Sequence, residues 1–302
     1  MITLGLDLGG TKIAAAVVDD GRILVQRRRP TPQSGAADVI AALAEAAREL
    51  LDLHPDVVAV GIGCPGPLDF ERGRVRFAPN IAGMEDAPLV DGLREHLGLP
   101  VVLENDANAA GYAEHRFGAA RDLATSVYVT LSTGIGGGIF VGDRVLRGAH
   151  GLAGEIGHMT LLPGGPVGGD GHTGSWEAIA AGRSMARDAS YVFSRAVSTA
   201  ELFELARTGD RKALAIVENA ARFTGLGLAN IVKVVDPHGF VFGGGVSGVG
   251  PFYLDRVRDA LVTASDGYPL PALRVAELGD EAGVIGAAAV AAMELGDTHG
   301  AS

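Results

Sequence analysis

The sequence predicts an α/β protein built from two related domains, and three observations predict it. A module of strand, Gly/Thr turn, strand, Asp/Gly turn and short third strand opens the chain and recurs from Ser126, with Arg22-Ile23-Leu24 answered by Arg144-Val145-Leu146. Uninterrupted apolar runs follow each module and suit buried parallel strands. Segments with apolar residues at helical spacing separate those runs, which makes crossover units.

The elements follow in order. Thr3–Leu8, Ile13–Asp19 and Arg22–Arg28 are β-rich runs parted by Gly9-Gly10-Thr11-Lys12 and Asp19-Asp20-Gly21, so three antiparallel strands come first. Val39, Leu43, Ala46, Ala47 and Leu50 mark a helix over Ala36–Leu53, and Val57–Ile62 reads as a parallel strand. Pro100–Leu103 is a further buried strand; Asn105-Asp106 is an N-cap signal for an alanine-rich helix, Ala107–Phe117. Ser126–Leu131, Gly138–Val141 and Arg144–Leu146 form the second strand set around Ser132–Gly137 and Gly142-Asp143. Pro163–Gly174 is a Gly/Pro-rich loop, Glu177–Asp188 a helix, and Ser198–Val234 mostly helical. Gly239–Phe242 is a buried strand ending at Gly243-Gly244-Gly245, followed by helix Pro251–Ser265, strand Leu273–Ala276 and helix Ala282–Leu295.

Composition removes several classes. The 302 residues carry a formal charge of −11 and are 47% hydrophobic, so the chain can bury a large core and offers little to a nucleic-acid backbone. Cys64 is the one cysteine, which excludes an intrachain disulfide and a thiolate zinc cage and suits a reducing cytoplasm. Met1-Ile2-Thr3-Leu4 enters a strand pattern with no signal-peptide composition. Ala282–Leu295, the longest apolar stretch, is too short and alanine-rich for a membrane span and reads as a buried helix.

Three glycine clusters bear on chemistry. Asp7 stands at a strand end before Gly9, Gly10, Thr11 and Lys12, an arrangement that aims backbone N–H groups at phosphate oxygens while a carboxylate holds hydrated Mg²⁺; a plain hairpin would use Gly-Gly as well. Ser132–Gly138 is a second cradle and Gly243–Gly245 a third approach surface, and none is a Walker A loop. Together they would hold a nucleotide in a cleft between the two domains. Glu104-Asn105-Asp106-Ala107-Asn108 sits at a strand-to-helix junction, where capping needs one of Asn105 and Asp106 but not both. Glu155-Ile156-Gly157-His158 and Glu177 admit structural readings too, Glu177 as a first-turn acid.

Leu131–Ile139 with Gly134, Gly136 and Gly138, then Gly148, Gly154 and Gly157-His158, resembles the signature of the ROK family of repressors and sugar kinases. Asp7–Lys12, Pro65-Gly66-Pro67, Pro79-Asn80, Glu104–Asn108 and Gly243–Gly245 fit the same family in order, over essentially the whole chain. The resemblance implies the actin-like, ribonuclease-H-like fold, with 1–117 plus 284–302 as a smaller domain and 118–283 as a larger one. It implies an ATP-dependent hexose kinase acting on the 6-hydroxyl of glucose or a similar hexose, with a homodimer or higher assembly. Asp106 becomes the general base, with Asn80, Asn105, Glu155, His158 and Glu177 around the sugar. ATP and Mg²⁺ fall to Asp7, Gly9, Gly10, Thr11, Lys12, Thr133, Gly134, Gly136, Gly137, Gly244 and Gly245.

One departure matters. Where many family members carry zinc-binding cysteines after the His, this chain reads Gly168-Gly169-Asp170 and Ser175, so no zinc is expected. Asp170 and His172 are the residues that could join His158 as substitutes, and Trp176 is the candidate to pack in the metal's place. A DNA-binding repressor is disfavoured by a first strand at Thr3 and by net charge; an N-acyl hexosamine or fructose kinase, and a non-catalytic sugar-responsive regulator, stay in play. Discrimination among hexoses would depend on the surroundings of Asn80, Met84 and Glu155.

Overall fold

Turn chemistry folds the first thirty residues into a meander. The computed structural model describes residues 1–78, 80–169 and 171–300, with side chains through 296, so Pro79 and Asp170 lie outside the described residues. β1 (Ile2–Leu8), β2 (Lys12–Asp19) and β3 (Arg22–Pro30) pair antiparallel. Between β2 and β3, Asp20 (φ 47°) and Gly21 (φ 78°) are both left-handed, as a two-residue primed hairpin requires. β1 and β2 are buried along nearly their whole length, while β3 carries Arg27, Arg28 and Arg29 on the sheet's edge.

α1 (Ala36–Leu51) buries a stripe from Val39 to Leu50 and returns the chain to β4 (Val60–Cys64), which runs parallel to β1. A small antiparallel sheet of β5 (Leu68–Asp69), β6 (Arg74–Phe77) and β7 (Glu85–Ala87), then α2 (Leu89–Leu97), precede β8 (Val101–Asn105) and α3 (Asp106–Arg116). β8 lies parallel to β4, giving the order β3-β2-β1-β4-β8.

The plan is then built again. β9 (Thr125–Leu131), β10 (Ile135–Val141) and β11 (Arg144–Val145) lead to α4 (Trp176–Ala180), α5 (Gly182–Phe193), α6 (Thr199–Arg207) and α7 (Arg211–Val235). β12 (Gly239–Gly243), α8 (Pro251–Ser265), β13 (Ala272–Val275) and α9 (Ala282–Gly300) complete the chain. The second sheet is ordered β11-β10-β9-β12-β13, with β12 parallel to both neighbours. Each large sheet is thus an antiparallel meander extended by two parallel strands, the internal repeat that the sequence predicts.

The fold divides into two compact units, one of residues 1–122, 138–153 and 277–302 and one of 123–137 and 154–276. Relative to the chain-order boundaries expected from sequence, residues 138–153 go with the first unit, where the Tyr112 hydroxyl donates to the Asp143 carbonyl (3.0 Å) and Arg147 Nε donates to Glu104 (2.7 Å). α9 lies flush on the first sheet: a Cβ at Gly5 would stand 1.9 Å from the Val284 carbonyl oxygen, and one at Gly61 1.8 Å from that of Ala287. Thr3 Oγ1 donates to the Ala288 carbonyl at 2.9 Å.

In the second unit, the helix expected over Glu177–Asp188 is two helices parted at Ala181, which is extended (φ −66°, ψ 159°). The break frees the Gly182 N–H to donate to the Ser132 carbonyl (2.8 Å). Trp176 is fully buried, its indole N–H on Thr224 Oγ1 (3.3 Å) and its ring against Gly227 of α7. The loop before it is tied by backbone bridges Thr160–Ser175 and Val167–Thr173, and by the Gly168 N–H on the His172 carbonyl (2.7 Å). Among the described residues, no helix is long and apolar enough to cross a membrane.

Candidate active site

In the first unit the chemistry gathers where β1, β4 and β8 end. Their parallel register sets Asp7 beside Gly63 and Gly63 beside Glu104, so carboxylates from two strand ends share one edge of the sheet. The Asp7 carboxyl is pushed up to about 6, chiefly by burial and then by the charge of Asp106, with Lys12 and Arg28 opposing. Among the described residues no hydrogen bond reaches its carboxylate. It lies over the first turn of α9, where a Cβ at Gly283 would stand 2.8 Å from Asp7 Cγ. Cys64 is buried beside this pair, and burial with the two carboxylates drives its thiol far above the ordinary range, so it stays protonated.

At the head of α3 the question of capping resolves by division of labour. Asn105 is the N-cap; its side-chain oxygen accepts from the Ala107 (2.9 Å) and Asn108 (3.2 Å) N–H groups. Asp106 is the first helical residue and accepts from the Ala107 N–H at 2.8 Å through one oxygen, leaving the other uncommitted among the described residues. Burial raises the Asp106 carboxyl above its ordinary value, and the backbone hydrogen bonds partly offset this. Glu104, fully buried, accepts from the Asn105 N–H (2.9 Å), Asn108 Nδ2 (2.9 Å) and Arg147 Nε (2.7 Å), so the junction is anchored from behind.

The Gly9–Lys12 turn closes through the Gly9 N–H on the Lys12 carbonyl (2.9 Å) and is braced by Thr31 Oγ1 on the Gly9 carbonyl (2.7 Å) and Gln33 Nε2 on that of Gly10 (2.9 Å). Thr11 and Lys12 are exposed on it, and the Lys12 ammonium faces Asp280 at 3.8 Å. Asn80 meets this turn, since a Cβ at Gly10 would stand 3.0 Å from the Asn80 carbonyl oxygen. Met84 is buried in the core of the unit, so its side chain is packing here.

The second unit brings together a different set. In the turn between β9 and β10 the Ser132 N–H donates to the Gly134 carbonyl (2.9 Å). Glu177 Oε2 accepts the Ile135 N–H at 2.9 Å, its other oxygen pairs with Arg183, and Gly134 has no Cβ where the carboxylate passes. Gly137 likewise leaves room for Ile156, which carries Glu155 and His158 alongside; those two half-exposed side chains stand 3.7 Å apart. Because Gly243 pairs with Thr130, the glycines after β12 share the same sheet edge. Gly244 (φ 83°) packs on the Leu131 carbonyl, while a Cβ on Gly245 would meet open space.

All of the sequence-predicted residues therefore fall into two clusters: Asp7, Gly9–Lys12, Asn80, Asn105 and Asp106 in one unit, and Thr133–Gly137, Glu155, His158, Glu177 and Gly244-Gly245 in the other. Asp170 lies outside the described residues, and among those described no three of His, Cys, Asp and Glu group as metal ligands. Two supporting residues were missed. Arg147 is 40 residues or more from its acidic partners, and Arg183 reads as an ordinary surface cation; only the odd charge of Glu104 after Val101-Val102-Leu103 hinted that a buried partner was needed.

A family model, the ROK family, matches residues 3–294. A ROK hexokinase structure from Thermus thermophilus superposes with a TM-score of 0.93 at 51% identity, covering 98% of this chain and all of that one. A ROK-family glucokinase from Streptomyces griseus, solved with glucose and AMPPNP, gives 0.82 at 39% identity over 97% of this chain and all of its own. Glucokinase from Streptomyces coelicolor is 38% identical over 96% of this chain and 97% of its own, and N-acetylmannosamine kinase from Citrobacter koseri 38% over 96% and 99%.

Proposed function

From the premise that this chain belongs to the ROK family and shares its actin-like fold, we propose that it is an ATP-dependent hexose kinase acting on the 6-hydroxyl of glucose or a close relative. The observation that carries the reading is Asp106: a carboxylate at a helix head, raised by burial, with one oxygen tied to the backbone and the other uncommitted among the described residues. A base poised nearer neutrality takes the hydroxyl proton as the phosphoryl group arrives. Asn105, whose oxygen is engaged in the cap, turns its amide donors toward sugar oxygens. Asn80, Glu155, His158 and Glu177 supply the remaining polar contacts to the hexose.

The Gly9–Lys12 and Thr133–Gly137 turns and Gly244-Gly245 would serve the phosphates with backbone N–H groups and glycine clearance. Mg²⁺ fits Asp7: a carboxylate without a hydrogen-bond partner among the described residues, raised by burial and by a neighbouring carboxylate, is a group that gains from a cation held through water. When bound, Mg²⁺ supplies charge neutralisation on the phosphate oxygens. The chain assembles as a homodimer or higher oligomer, which sedimentation at micromolar concentration tests; a monomer would refute it.

A coupled ADP-release assay over glucose, mannose, fructose and N-acyl hexosamines tests the function. Turnover highest with glucose supports the reading. The similarity to N-acetylmannosamine kinase favours a second one, an N-acyl hexosamine kinase, which turnover confined to those sugars would establish. No ADP release with any sugar would leave a non-catalytic regulator.

A further inference from the structure

We propose that Arg183 is a positioning residue for the Ser132–Gly137 turn, acting through Glu177; the inference rests on that turn being a phosphate cradle. The helix break at Ala181 brings the start of α5 onto the turn, where the Gly182 N–H donates to the Ser132 carbonyl (2.8 Å) and the Arg183 N–H to that of Thr133 (3.2 Å). From there the Arg183 side chain reaches back six residues to Glu177 Oε1, while Glu177 Oε2 accepts the Ile135 N–H at 2.9 Å. One carboxylate thus joins a backbone donor of the turn to a cation.

A glutamate has three rotatable bonds, and a single neutral donor holds it weakly. The charge-assisted hydrogen bond to Arg183 selects the rotamer in which the carboxylate lies against Gly134, where a Cβ would come within 2.4 Å of Oε2. Gly169 provides a second clearance, since a Cβ there would stand 2.8 Å from Arg183 Nη2. With its side chain 48% exposed, Arg183 adds little to folding stability. Its influence therefore falls on the shape of the turn, and hence on ligand constants rather than on melting temperature.

The experiment compares wild type, Arg183→Met and Arg183→Lys by steady-state kinetics, AMPPNP calorimetry and thermal denaturation. Arg183→Met should raise KM for ATP and Kd for AMPPNP about tenfold, with a Tm change under about 2 °C. Arg183→Lys, which keeps the charge, should recover most of the loss. In a Glu177→Gln background, Arg183→Met should change AMPPNP affinity less than twofold, because the two act as one device. Wild-type constants in Arg183→Met, or an undiminished effect in that background, would overturn the inference while hexose turnover by the wild type stands. A wild type that phosphorylates no hexose would instead remove the functional reading, leaving the AMPPNP measurements to judge the inference alone.

Discussion

The Gly9–Lys12 and Ser132–Gly137 turns occupy equivalent places in two sheets of one order, yet they are held in opposite ways. The first closes on its own backbone with neutral help from Thr31 and Gln33, and the carboxylate before it, Asp7, has no hydrogen-bond partner among the described residues. The second is held by a carboxylate, Glu177, and the position equivalent to Asp7 is the uncharged Thr130. A repeated topology places backbone donors alike in both units. Charge then separates them: in the proposed roles one unit keeps anionic groups ready for a proton and a cation, while in the other the acid Glu177, besides facing the sugar, shapes a loop.

The largest expected effect breaks the charged side. Asp106→Asn should lower kcat by about 10²–10⁴-fold with a melting temperature no lower than that of the wild type, since an amide oxygen still accepts from Ala107, Asn105 keeps the cap and a buried charge is removed. Near-normal turnover would reduce Asp106 to a helix-head residue.

Asp7 tests the same side through stability. Its carboxyl lies at about 6 against an ordinary 3.8, so between those values the folded chain holds a proton that the unfolded chain releases. Stability therefore falls as pH rises through this window and stays reduced above it. Asp7→Asn should stabilise the protein at pH 8 in a chelator by up to about 3 kcal/mol, and by nothing near pH 4. Denaturation curves at the two pH values check it; an equal gain at both would assign the effect to packing.

On the neutral side, Gly244→Ala places a Cβ 2.5 Å from the Leu131 carbonyl at a left-handed φ, and should cost about 1–3 kcal/mol of stability. Gly245→Ala meets open space and should melt like the wild type while binding AMPPNP less well. Equal melting points for the two variants would contradict the packing described. Smallest of all, a zinc-selective chelator, with Mg²⁺ kept in excess, should change neither Tm nor activity, because the loop before Trp176 is tied by backbone bridges and by the burial of that ring. One zinc per chain, lost together with activity, would point to His158, Asp170 and His172.

Long, regular elements were legible because they obey one period. The helix Pro251–Ser265 has the expected bounds, and the repeat follows from two glycine turns in matching strand pairs. What escaped was short or non-local. β5, β6 and β7 have two to four residues each, too few to establish alternation. The break at Ala181 has no Pro or Gly to announce it before Gly182; it exists because the Ser132 and Thr133 carbonyls compete for the next two N–H groups. At the candidate site, Asp106 could be singled out from sequence, but that Asn105 would take the cap depended on backbone geometry. The Glu177–Arg183 pair was beyond reach for the same reason, since a first-turn glutamate has several partners within range.

α9 has a consequence for how the protein is made. Two strands that leave the ribosome early, β1 and β4, carry Gly5 and Gly61 under a helix that is synthesised nearly last. Until residues 282–296 emerge, that sheet lacks its cover, and Thr3 lacks the Ala288 carbonyl it bonds. Folding of the first unit is therefore bound to the completion of translation, while the 154–276 portion of the second can begin to organise beforehand. A nascent chain stalled before Ala282 would expose the bare face of β1 and β4, which makes early termination a route to aggregation even when every residue proposed for the site has already been translated.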